Sequence, residues 1–177
     1  MPNLDEVDYE MKQRGLEQMQ SDKPWHYEIQ KPKLTKKKKL NDYEQFKIKR
    51  YAFWDLYLHK NQFPYIGRCY ASAIRDNADL VTDMNLRESE ELFSLIVPSW
   101  HSAVSELFGK FRPNIAILGN EWPHLHAHLI PRFQDNKHFY GIDFIDPNPK
   151  ANYSPYPKKE ISLEVLLKIK KDIENKI

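Results

Sequence analysis

At 177 residues the chain is long enough for one domain with a sizeable core and some additional chain. Its single cysteine, Cys69, excludes an intramolecular disulfide and fits a reducing, intracellular setting; residues 1–10 are acidic and polar, unlike a secretory leader, and no uncharged apolar run approaches a bilayer span, so no membrane role is expected. The net charge of +2 is too small to argue for nucleic acid by itself, and it is unevenly spread, with twelve Lys/Arg against nine Asp/Glu over residues 1–50 and fifteen against sixteen beyond.

That division suggests an N-terminal arm over 1–45, a core over 46–133 and a Pro-rich loop with a C-terminal helix over 134–177. Leu4, Val7, Met11 and Met19 outline a weakly amphipathic helix interrupted by Gly15. Residues 20–45 read as an extended linker, although Trp25 and Tyr27 suggest that part of it docks on an apolar surface. The Lys36–Lys39 run is the kind of basic cluster that is usually a solvated linker; a nuclear-import signal, which would add the nucleus to a cytoplasmic location, and a polyanion patch are the alternatives.

From Tyr51 the pattern becomes strand-like. Ala52, Trp54, Leu56 and Leu58 alternate with Phe53, Asp55 and Tyr57, a second run extends from Ile66 to Ile74, and the turn-rich residues 59–65 between them make a hairpin. Asn85 to Gly109 reads as the main helix: Asn85 and Glu88 form a capping box, and Gly109 suits the position past the end. Leu92, Leu95, Ile96, Trp100, Ala103 and Leu107 make its expected buried stripe, with a kink before Pro98. His101 lies beside that stripe and reads as structural.

A short strand over 114–118 leads into His124-Leu125-His126-Ala127-His128-Leu129-Ile130. Alternation is the period of a strand, so three of the seven histidines share one face and Leu125, Ala127 and Leu129 turn to the core. His124 and His128 then have Cα atoms roughly 13 Å apart, long for three ligands of one ion, although two rings could share a metal. Catalysis suits the row better than metal binding or a merely wet face, because a middle ring can act on substrate while its neighbours orient it and handle protons. Symmetric pairing would set Leu118 opposite His124, Ala116 opposite His126 and Asn114 opposite His128. Residues 134–159 are a long Pro-rich loop, read as an arm over the site, an interface or a surface wrap. Ser162 caps a last helix whose apolar side is Leu163, Leu166, Leu167, Ile173 and Ile177.

The string from Leu118 to Arg132 resembles the histidine-triad superfamily of nucleotide hydrolases and transferases, in its diadenosine-polyphosphate-hydrolase-like branch, and the likeness runs from about Tyr51 to Phe133. It implies an α+β fold, a mostly antiparallel sheet of about five strands with one main helix packed on it and a C-terminal helix. It also implies that His126 attacks a nucleotide α-phosphate to form a nucleotidyl-histidine, with His128 at the bridging oxygen of the leaving group and His124 supporting the nucleophile. His126 needs a partner that fixes its tautomer, and a backbone carbonyl of the same strand is expected. Asn61 matches the residue that reaches the ribose, and Arg68 stands where many relatives have histidine and could meet phosphate.

Asn114 and Asn120, with His128, are expected to stabilise the transition-state charge; Trp122 either stacks on a base or packs. Transferases of the family commonly carry glutamine at the third position, so the resemblance implies, with His128 intact, hydrolysis over transfer. The reading is thus a nucleotide hydrolase acting on a purine dinucleoside polyphosphate or nucleoside phosphoramidate. It requires no cofactor of its own, and a divalent cation can arrive bound to a polyphosphate. A DNA-end deadenylase, motivated only by the basic arm, and a non-catalytic nucleotide sensor are the alternatives. The resemblance further implies a homodimer, which light scattering would exclude by returning the monomer mass of 21.2 kDa.

Overall fold

In the computed structural model, which describes residues 43–177, the alternating segments form one antiparallel sheet. The expected helix over 4–19, the Trp25–Tyr27 segment and the lysine run lie outside the described residues. Strands β1 (Lys47–Arg50), β2 (Trp54–Leu58), β3 (Cys69–Ala73), β4 (Arg112–Ile117) and β5 (His126–Arg132) are ordered β1-β2-β3-β5-β4. Register lays Leu56 opposite Ala71 and Ala71 opposite Ala127, while Leu58, Cys69 and Leu129 make the adjacent row. These side chains are all buried, so one face of the sheet is a continuous apolar surface.

The long helix covers that face. Asn85 and Glu88 make the reciprocal capping box, the Glu88 N–H bonding to Asn85 Oδ1 at 3.0 Å and the Asn85 N–H to Glu88 Oε2 at 2.8 Å. Glu88 is buried but paired with Arg75 Nε at 2.6 Å, and its carbonyl accepts from Trp54 Nε1 at 2.9 Å. The kink expected near Pro98 is a π-turn: helix α1 (Leu86–Glu91) passes through Leu92–Ile96, where the Val97 N–H reaches back to the Leu92 carbonyl, and resumes as α2 (Val97–Phe108). A proline without an N–H removes one helical bond, and an extra residue in the turn absorbs the break. The insertion rotates the stripe, so Leu92, Ile96, Trp100, Ala103, Val104 and Phe108 are buried while Leu95 is 48% exposed.

Helix α3 (Leu163–Glu174) is capped by Ser162, whose Oγ accepts from the Val165 N–H at 3.4 Å, and packs against β1 and α2. Its buried positions are Leu166, Ile169 and Ile173; Leu163 and Leu167 point outward, contrary to the sequence reading. The Pro-rich segment holds a small hairpin, β6 (Lys137–Phe139) and β7 (Ile142–Phe144). Its turn is Tyr140-Gly141, both at positive φ, as a two-residue hairpin turn requires.

The β2–β3 turn is fixed from inside. Gln62, fully buried, donates through Nε2 to the carbonyls of His59 (2.6 Å) and Arg68 (2.7 Å) and accepts from the Gly67 N–H at 2.7 Å. The Gly67 carbonyl takes the Trp100 Nε1 proton at 2.9 Å, tying turn to helix. Gly67 has φ +85°, and a Cβ there would stand 2.7 Å from Val104 Cγ1. Gly67→Ala is therefore expected to cost about 1–3 kcal/mol, read as a lowered urea midpoint; an unchanged midpoint would contradict this packing.

Candidate active site

The opposite face of the sheet carries the titratable residues. His126 lies opposite Ser72 and His128 opposite Tyr70, and the hairpin continues the same face through Tyr57, His59 and Arg68. Ala116 pairs with His128 and Asn114 with Ile130, so the expected pairing of Ala116 with His126 and of Asn114 with His128 is corrected by two residues. Parity survives: Ile115 and Ile117 still share the core face with Leu129 and Ala127. The shift arises because residues 118–125 do not turn tightly. The His124 N–H bonds to the Trp122 carbonyl, and the Leu125 N–H reaches the Ala78 carbonyl at 2.7 Å, so β5 begins only at His126.

His124 thus stands just ahead of the strand, its Nε2–H donating to the Ala73 carbonyl at 2.7 Å. The ring of His126 is buried, and its Nδ1 lies 2.6 Å from the His124 carbonyl oxygen. A carbonyl can only accept, so Nδ1 carries the proton and Nε2 keeps its lone pair. Burial is the largest influence on this ring and lowers its pKa; the carbonyl bond opposes that and the charge of His124 adds to it. Trp122, 46% exposed, lies over the rings of His124 (centroids 5.1 Å apart) and His126 (4.9 Å), shielding both from water. Its stacking partners are therefore the histidines themselves.

His128 stands 4.8 Å from His126 between ring centroids, and its Nδ1 is buried with no partner. Burial first, then Arg68 and His126, pushes its pKa down to about 4. A further ring joins the cluster: His59 lies 5.8 Å from His128 and accepts at Nδ1 from the Asn61 N–H at 3.0 Å. Burial, and then Arg68 and His128, hold His59 well below the ordinary imidazole range. Asn61 itself is exposed on the turn, and Asn120 is exposed in the loop before the triad. Asn114 shares the histidine face diagonally from His128, and its Oδ1 is buried without a partner. Arg68 is buried at 3% exposure with an unpartnered Nε. The structure therefore gathers His124, His126, His128, Arg68 and Asn114, adds His59, and leaves the Asn61 and Asn120 side chains on the surface. Hairpin parity was the missed signal for His59, which continues the face of Asp55 and Tyr57.

Tyr156 and Tyr153, from the Pro-rich loop, also come to Arg68; nothing in their sequence context marks them. Among the described residues no group of three His, Cys, Asp or Glu is placed to hold a metal ion, and no helix is long and apolar enough to cross a membrane.

His126 and His128 are depressed in the folded chain and return to about 6.5 on unfolding. Between pH 6.5 and about 4 the unfolded chain then binds more protons, so stability falls as pH is lowered through that window and is insensitive to these rings above it. The urea midpoint is expected to drop from pH 7 to pH 4.5, with a shallower drop in His128→Gln; identical slopes would contradict a half-buried, neutral His128.

No protein-family model and no curated protein matches the chain. Solved structures do. The chain is similar to a histidine triad protein from Bradyrhizobium japonicum, with TM-score 0.57 and 18% identity over 74% of this chain and 89% of that one. A histidine triad (HIT) protein from Sinorhizobium meliloti 1021 gives TM-score 0.57 and 16% identity over 75% and 89%. One from Marinobacter aquaeolei VT8 gives 0.56 and 19% over 73% and 85%. With its five-stranded antiparallel sheet covered by one long helix and its C-terminal helix, this chain has the histidine-triad fold.

Proposed function

We propose that the chain is a histidine-triad hydrolase that cleaves a purine nucleoside phosphate through a nucleotidyl-His126 intermediate. The observation that carries this reading is the Nδ1–H of His126 on the His124 carbonyl, which leaves a neutral Nε2 facing the polar side of the sheet. In the first step Nε2 attacks the α-phosphorus, the bond from phosphorus to the bridging atom breaks, and the leaving group departs with that electron pair. The ring is then a phosphorylated imidazolium, whose positive charge is shared by Nδ1–H and met by the His124 carbonyl oxygen at 2.6 Å.

In the second step water adds to phosphorus and the P–N bond breaks, returning its pair to Nε2; the nucleoside monophosphate leaves and the proton of water passes to solvent. His128, beside the reacting ring, faces the bridging atom, and His124 orients the backbone carbonyl that holds the nucleophile. Asn114, whose buried Oδ1 has no partner, adds a polar group on the same face. A divalent cation is assigned to a polyphosphate substrate, and the location is proposed to be intracellular.

AMP release from diadenosine tetraphosphate, diadenosine triphosphate and adenosine 5′-phosphoramidate, with and without EDTA, tests the reading. His126→Ala is expected to lower turnover at least about 1000-fold. Binding of AMP with no turnover of any substrate would contradict hydrolysis and leave a nucleotide sensor; turnover confined to adenylated DNA ends would mark a deadenylase.

A further inference from the structure

Two arginines are buried in the described chain, each 3% exposed, and they are treated differently. Arg132 is neutralised: its Nε lies 2.6 Å from Asp146 Oδ2, and its two terminal nitrogens donate to the carbonyls of Ala151 (3.0 Å) and Asn148 (2.6 Å). Arg68 has no carboxylate partner among the described residues. Its Nη1 donates to Tyr156 Oη at 2.5 Å, its guanidinium lies 5.1 Å from the Tyr156 ring centroid and 5.8 Å from that of Tyr153, and its Nε is buried without a partner. A buried cation without a counter-charge is costly to keep, unless a ligand supplies the charge.

We propose that Arg68, His59 and His128, walled by Tyr153 and Tyr156, form a subsite for the phosphate of the leaving group, so that the substrate is a nucleotide whose α-phosphate is joined to a further phosphate. This rests on the hydrolase reading and selects within it, against an amine-bearing phosphoramidate.

The placement supports the assignment. Arg68 follows Gly67 at the base of the hairpin, opposite His59, whose backbone N–H donates to the Arg68 carbonyl at 3.0 Å. His59 in turn stands 5.8 Å from His128, and His128 4.8 Å from the nucleophilic ring. The Nε of Arg68 and Nδ1 of His128 are thus two buried polar atoms without a protein partner beside the same reaction centre, which a phosphate oxygen would satisfy. The walls are held independently: the Tyr153 carbonyl accepts from Tyr65 Oη at 2.8 Å, and Arg132 grips residues 146–151 just upstream.

The chemistry points the same way. When the P–O bond to a second phosphate breaks, the bridging oxygen keeps the electron pair and departs as an oxyanion, which a fixed guanidinium stabilises without any proton transfer. An amine keeps the pair of a broken P–N bond only if a proton reaches the nitrogen. Burial, and after it the Arg68 charge, keeps His128 and His59 uncharged near neutral pH, so the pocket offers fixed positive charge and little imidazolium to act as that acid.

The test is a calorimetric titration of the full chain and its Arg68→Gln and Arg68→Lys variants with AMP and with ADP, whose β-phosphate probes the subsite. The unmodified protein is expected to hold ADP at least about tenfold tighter than AMP. Arg68→Gln is expected to lose about 10- to 100-fold in ADP affinity while AMP affinity changes less than about threefold, with Arg68→Lys between the two. Unchanged AMP binding in the variant also shows that it folds. Equal affinity of the unmodified protein for ADP and AMP, or equal loss of both in Arg68→Gln, would overturn the proposal. Should neither a phosphoanhydride nor the phosphoramidate be hydrolysed, the hydrolase reading fails by itself, and the ADP to AMP ratio still decides whether the subsite exists.

Discussion

A single hydrogen bond, from Nδ1 of His126 to the carbonyl oxygen of His124, is the constraint on which the rest of the site depends. It decides which nitrogen of a buried, uncharged ring is free to react, and it does so with a group that cannot change its role as pH or ligand changes. That carbonyl is itself positioned because the His124 ring is tethered to Ala73 of β3, across the end of the sheet. The triad is thus less a row of three equivalent rings than a nucleophile, its support and a partner at the leaving side. Trp122 over the first two rings, and burial around the third, keep water from competing with these arrangements.

The frame that holds the geometry is built from the other face. Small residues on β3, Cys69, Ala71 and Ala73, let α1 and α2 lie close to the sheet, and the absence of a side chain at Gly67 lets Val104 approach the hairpin. Buried Gln62 then fixes the loop that carries His59 on one side and Arg68 on the other. The C-terminal loop is drawn in by Arg132 and Asp146, both nearly inaccessible, so that two tyrosines arrive at Arg68 from a distant part of the chain. Packing, capping and the polar face are therefore one construction.

Much of this was legible in the residues because period-two alternation reports faces directly. The histidine face, the apolar partner face, the β2–β3 hairpin and the capped long helix all follow from pattern alone. Register did not follow, because residues 118–125 bond to Ala78 and to one another instead of closing a tight turn, and alternation fixes parity but not offset. Strand β1, Lys-Ile-Lys-Arg, was hidden by its charge, as an exposed edge strand commonly is. The stripe of the long helix was misplaced at Leu95 because a π-turn adds a residue, while Leu107 does pack against the core, and the stripe of α3 missed Ile169. His59 was legible by parity but masked by the attraction of Asn61 as a turn residue, and Tyr153 and Tyr156 reach Arg68 through tertiary contacts that no local pattern announces.

The central claim is covalent: His126 carries the nucleotide between the two steps. Rapid acid-free quenching of the full chain with diadenosine tetraphosphate labelled at the α-phosphorus, followed by peptide mass spectrometry, tests it most directly. An acid-labile adenylyl group on the peptide containing His126, present in the first turnover and absent in His126→Ala, is the predicted result. Release of AMP with no protein-bound label at any time, or label on another residue, would contradict the account.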